Sequence, residues 1–144
     1  MKVLPQILFY SEDTAFALDN SEKIVETLVE FIDKEANQCG SINYIFCSDE
    51  YLLKLNQDYL NHDYYTDILS FQMDDDPIQG DIFISIDRVN ENAQNMNVPF
   101  EDELFRVLSH GILHFLGYKD KTEEEIRIMR GKEDELIEKI KKNI

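Results

Sequence analysis

Two of the chain's three histidines, His110 and His114, stand four residues apart in the stretch HGILHFLGYKD. On a helix, positions i and i+4 share a face one turn apart, so both imidazoles can reach a single ion. Gly117 follows three residues after His114, placed to take the left-handed conformation that ends a helix and turns the chain back. Asp120 comes three residues later and can return beside the histidines. The pattern H-x-x-x-H-x-x-G-x-x-D has the histidine spacing of zinc hydrolases whose third ligand follows a glycine turn. Two nitrogens and one carboxylate oxygen suit Zn2+ and leave a fourth tetrahedral position open for water. The expected centre is one zinc ion on His110, His114 and Asp120. Zinc proteases carry Glu directly after the first histidine as the general base. Gly111 stands there in this chain, which argues against ordinary peptide hydrolysis.

A second polar constellation lies in NQDYLNHDYYTDILSF, residues 56–71. Asn56, His62, Asp63, Thr66 and Asp67 crowd the approach to a strand, and Asp67 and Ser70 sit beside its apolar positions. A buried carboxylate is costly unless paired or hydrogen-bonded. Such groups are either members of a structural network, the commoner case, or part of a site.

The elements that must position these residues follow from periodicity. Residues 6–10 (QILFY) read as a first strand, 41–47 (SINYIFC) as a second, and TDILSFQM from 66 and GDIFISI from 80 as two more, separated by an Asp-Asp-Asp-Pro turn. A helix is expected from about 21 to 37, with Ser21 a candidate cap and Gly40 its stop. Ser48 caps a helix running to about Leu60, with Leu52, Leu55 and Tyr59 on one side. Asp87 is the expected cap of a third helix through about Asn97, and Pro99 separates it from a fourth that carries the histidines. That fourth helix is apolar over much of its circumference, as a central buried helix would be. Thr122 and Glu125 form a capping box for a last helix ending in Lys139, Lys141 and Lys142. The sum is an α+β domain, residues 1–144 in one unit, with a small mixed four-stranded sheet covered by about five helices.

With 43% hydrophobic and 31% charged residues, the composition is that of a soluble chain with a real core. No apolar run approaches the length of a membrane span, and the N-terminus lacks a signal pattern, so a cytoplasmic location is expected. Cys39 and Cys47 have neither CxxC nor zinc spacing and read as reduced core thiols. The net charge of −16 leaves any basic surface for nucleic acid local, and it suits solubility or a basic protein partner.

Taken together, NQDYLNHDYYTDILSF, GDIFIS at 80–85 and HGILHFLGYKD resemble the YbeY family, metal-dependent endoribonucleases of bacterial ribosomal RNA maturation. The resemblance covers about residues 41–125. The family pattern resembles N-x-x-Y-R-x-x-D-x-P-T-D-V-L-S-F, then G-D-I-x-I-S, then H-G-x-L-H-x-x-G-Y-D-H. It implies an α+β fold with a zinc-binding histidine helix lining a cleft, and His110 and His114 as ligands. Three positions depart from the pattern: Asp120 stands for the third histidine, Leu60 for an arginine implicated in catalysis, and Tyr65 for proline.

The implied function is zinc-dependent cleavage of single-stranded RNA in ribosomal RNA processing and ribosome biogenesis. The ion would polarise a phosphoryl oxygen, activate water or stabilise the leaving oxygen. Candidate cations to offset phosphate charge are His62, Arg106, Lys119 and Lys121, each also readable as a solvated surface group. Tyr64 and Tyr65 could stack on unpaired bases or serve in packing. The expected partners are single-stranded ribosomal RNA and the ribosomal subunit or its proteins. The alternatives are a non-catalytic ribosome assembly factor and, less favoured, a metalloendopeptidase.

Overall fold

In a computed structural model the described residues are 6–35 and 37–144. They form β1 (Gln6–Ser11), α1 (Ser21–Lys34), β2 (Cys39–Cys47), α2 (Asp49–Leu60), β3 (Ile68–Asp75), β4 (Ile78–Ser85), α3 (Ile86–Met96), α4 (Phe100–Phe115) and α5 (Glu123–Asn143). The sheet order is β1-β2-β4-β3. β1, β2 and β4 run parallel, and β3 pairs antiparallel to β4 at one edge, so the sheet is mixed as expected.

Side chains alternate across the sheet with period two. Ile42, Tyr44 and Phe46 of β2 and Ile78, Ile82 and Ile84 of β4 join Leu28 and Ile32 of α1, Leu108 and Ile112 of α4 and Leu136 and Ile140 of α5 in the main core. Cys47 of β2 and Phe83 of β4 belong to a smaller cluster with Leu52 of α2. The Tyr44 hydroxyl donates to the Leu108 carbonyl at 2.7 Å, so a fully buried phenol is satisfied by the backbone of α4. Cys39 and Cys47 are both free and buried. Among the described residues, no helix is long and apolar enough to cross a membrane.

Several local expectations shift by a residue or more. α1 ends at Lys34, short of the expected 37, and the Ala36 part of that expectation lies outside the described residues. Gly40 belongs to β2 and does not stop the helix; a Cβ there would come within 2.6 Å of Gln79 Cγ, so the residue serves a close strand approach. α3 is capped by Ser85, whose hydroxyl accepts from Arg88 N, while Asp87 stands in the first turn. Ser21 lies inside α1, and the cap position is Asn20 in the left-handed region. Tyr59, expected on the same side of α2 as Leu52 and Leu55, is 70% exposed, with its ring edge-on to Phe71 at 6.2 Å.

Candidate metal centre

α4 brings the two histidines to one face and is pressed against the sheet behind them. Gly111 explains how close that approach is. A Cβ there would meet Ile82 Cδ1 at 2.9 Å and Ile82 Cγ2 at 3.1 Å. The position after the first histidine therefore faces the sheet, and no glutamate fits where a zinc protease carries its base.

The turn that returns Asp120 is braced at both ends. Gly117 N–H donates to the His114 carbonyl and Tyr118 N–H to the Leu113 carbonyl, each at 3.0 Å, the paired bonds of a Schellman ending. Gly117 takes φ +100°, a conformation that an L side chain resists. The Tyr118 hydroxyl donates to Glu35 at the end of α1, and Lys132 Nζ of α5 reaches the other Glu35 oxygen at 3.3 Å. On the far side of Asp120, the capping box forms: Glu125 N–H donates to Thr122 Oγ1 at 3.1 Å and Thr122 N–H to Glu125 Oε1 at 3.0 Å.

Between these braces the three expected ligand atoms converge. His110 Nε2 and His114 Nε2 are 2.9 Å apart. Asp120 Oδ2 lies 3.3 Å from the first and 3.4 Å from the second. A tetrahedral zinc site with spokes of roughly 2.0–2.1 Å has edges of roughly 3.4 Å. Two edges of the triangle match, and the His–His edge is shorter by about half an ångström, which a small ring rotation supplies. This is the group of His, Cys, Asp or Glu side chains that could hold a metal ion among the described residues.

Sequence reasoning missed Glu133. Its carboxylate, 4% exposed, sits on α5 with Oε2 2.6 Å from His110 Nδ1. Such a carboxylate fixes the imidazole tautomer: the proton stays on Nδ1, and Nε2 turns its lone pair to the ion. Burial disfavours a charged His110, but the hydrogen bond and charge of Glu133, with Asp120 and Asp67 beyond it, outweigh this and raise its pKa above the ordinary value. Glu133 Oε1 also accepts from Arg106 Nη1 at 2.8 Å, and Arg106 Nη2 reaches Asp134 at 2.8 Å.

His110, Asp120 and Glu133 open onto a cleft of about 360 Å3, whose wall also includes Asp67, Glu103, Arg106 and Arg130. Of the candidate cations, Arg106 lies on this cleft, while His62, Lys119 and Lys121 are not among its lining residues. His62 is exposed, with Nδ1 3.0 Å from the Tyr64 hydroxyl and its ring stacked on Tyr64 at 5.1 Å. Leu60, in the family arginine's place, is 42% exposed at the end of α2. The polar loop after it is pinned by Asn56, 1% exposed, whose Nδ2 donates to the Tyr64 carbonyl at 2.9 Å. Tyr65, in the family proline's place, is held by its hydroxyl on Glu50 at 2.8 Å and by Arg88 over its ring at 5.1 Å. Side-chain ties thus stiffen the loop where a pyrrolidine ring otherwise would.

The chain matches the family described as Endoribonuclease YbeY over residues 6–141. It is 52% identical over 129 residues to an endoribonuclease YbeY from Flavobacterium johnsoniae, covering 89% of this chain and 93% of that protein. A relative of the same description from Cytophaga hutchinsonii is 52% identical over 130 residues, covering 89% and 91%. The solution structure of TM1509 from Thermotoga maritima superimposes with a TM-score of 0.68 at 31% identity, covering 94% of this chain and 89% of that one. The chain belongs to the YbeY family of endoribonucleases.

Proposed function

We propose that this YbeY-family chain, acting as one domain, is a zinc-dependent endoribonuclease specific for single strands, working in ribosomal RNA processing and ribosome biogenesis in the cytoplasm. The observation that carries the reading is the convergence of His110 Nε2, His114 Nε2 and Asp120 Oδ2 within 3.4 Å of one another beside an open cleft. Those three atoms would hold one Zn2+, and a bound ion there supplies Lewis acidity toward a phosphoryl oxygen.

The remaining work falls to this chain's side chains. Glu133 keeps the His110 proton on Nδ1 and balances charge on the ring. Arg106, locked in place by Glu133 and Asp134, puts a fixed cation on the cleft wall. Arg130, with a 57% exposed side chain and one contact at 3.5 Å to Glu133, keeps donors free for a phosphate. Tyr64 and Tyr65 are 56% and 47% exposed on the loop that leads to Asp67, where an unpaired base could stack. His62 and Lys119 would meet RNA outside the cleft.

The test compares matched oligoribonucleotides, single-stranded and duplex, with metal-stripped and zinc-restored protein. The proposal expects cutting of the single strand only, only with zinc. Equal cutting of both, or cutting in the presence of a chelator, would overturn it. A second reading, a ribosome assembly factor without nuclease activity, is favoured by Leu60 and by the net charge of −16. It expects zinc-loaded protein that sediments with ribosomal particles and cuts no RNA.

A further inference from the structure

Two carboxylates on the wall of the metal cleft have no side-chain partner among the described residues. Glu103 is 5% exposed, yet its carboxylate makes no hydrogen bond or ion pair with any described residue. Asp67, half-buried, is touched at its carboxylate only by its own backbone amide. Both line the cleft with His110 and Asp120. Burial, and for Glu103 the charge of Asp67 next, hold each above the ordinary carboxylate range. The cleft arginines offset Glu103 only through space, without an ion pair: Arg106 spends both terminal nitrogens on Glu133 and Asp134 at 2.8 Å, and Arg130 lies nearest Glu133.

The Glu103 oxygens are not among the buried atoms that lack a partner, so a side chain buried along its stem turns its carboxylate to the cleft, held there at a desolvation cost. Such groups concentrate where a charge arrives during function. The charge missing here is positive. The substrate in the proposed function is a polyanion, the chain carries −16, and Leu60 removes a cation from the family pattern. Hard divalent cations are commonly held by one or two carboxylates, with water and substrate phosphate completing the shell.

From this we infer that Asp67 and Glu103 form an oxygen-only subsite for a second, hard divalent cation of the Mg2+ class, distinct from the His110–His114–Asp120 centre, which bridges the acidic cleft to an RNA phosphate. The subsite stands on the two unpartnered carboxylates, and its role toward RNA rests on the proposed nuclease function. All-oxygen ligation suits Mg2+ and Mn2+, and the histidine centre retains zinc against both, so with one equivalent of zinc the carboxylate pair is left to the harder ion.

The experiment titrates Mn2+, as a paramagnetic Mg2+ probe, into zinc-loaded protein and reads bound ion by electron paramagnetic resonance. The expected result is one Mn2+ per chain beside one retained zinc, competed off by Mg2+. Glu103→Gln and Asp67→Asn should each lose the Mn2+ while keeping zinc. Asp75→Asn, which removes an equal charge from the exposed hairpin, should keep both. Removing an unpaired buried charge leaves the fold intact, so metal-free Glu103→Gln should melt no lower than wild type. With Mg2+ present, single-stranded RNA should show KM about tenfold higher for Glu103→Gln, because the bridge from cleft to phosphate is gone. Zinc-loaded protein that binds no Mn2+, or a Glu103→Gln protein that binds it as wild type does, would overturn the inference. A bound second ion in a protein that cuts no RNA would instead overturn the nuclease reading and leave the subsite standing.

Discussion

Replacing Glu133 separates a packed acidic residue from one that tunes the metal centre. Its two oxygens reach different groups: Oε2 is 2.6 Å from His110 Nδ1 and Oε1 is 2.8 Å from Arg106 Nη1. In Glu133→Gln the amide oxygen still accepts from His110 Nδ1–H, so the tautomer is kept while the balancing charge is lost. In Glu133→Ala both are lost, and Arg106 retains only Asp134. Loss of a carboxylate behind a metal-bound imidazole typically lowers metal affinity by about 10–100-fold. The geometry assigns about tenfold to Gln and about a hundredfold to Ala, or roughly 1.4 and 2.7 kcal/mol. Competition with a calibrated chelator reads zinc affinity directly, and thermal unfolding of the metal-free proteins reads the packing cost separately. If both variants bind zinc as wild type does while Ala alone melts lower, Glu133 is a structural residue and the reasoning fails.

Four further outcomes follow from the same geometry. Zinc affinity should rise as pH climbs from about 6.5 through the raised pKa of His110, because the ion displaces a proton from that ring. The metal-free protein shows the opposite trend: the His110–Glu133 pair stabilises it fully below pH ~6.5 and loses that effect as pH rises through the folded pKa, which a series of pH-dependent melts would record. Gly111→Ala should cost about 1–3 kcal/mol by overpacking against Ile82, seen as a lower denaturation midpoint. Asp120→His should keep zinc bound and, by removing one negative charge, shift the pH–rate profile toward lower pH.

The histidine pair, the glycine turn and Asp120 were legible because every step between them is local. Helical spacing, a positive-φ glycine and a capping box each act over a few residues, and together they deliver the aspartate to the rings. Glu133 was illegible for the opposite reason. It stands 23 residues from His110, and in the pattern of α5 it reads as one more charge on a solvated face. Only the packing of α5 on α4 turns it inward. Glu103 was hidden in a first turn where acidic residues are expected for the helix dipole alone. The sequence marked Gly111 as the absence of a base, and the approach of Ile82 supplies the reason. Sheet composition and strand number followed from alternation, whereas single-residue decisions such as Ser85 over Asp87 as a cap depend on which side chain the neighbouring elements leave free. Ser85 Oγ is oriented by Asp49 at 2.7 Å, a contact between segments 36 residues apart.

The most direct test of the central claim is the initial rate of single-stranded RNA cleavage as zinc is returned to metal-stripped protein, with His114→Ala measured beside wild type. The wild-type rate should rise and saturate at one zinc per chain, and the His114→Ala protein should stay folded, bind no zinc at that concentration and cut nothing. Cleavage by His114→Ala at the wild-type rate would contradict it.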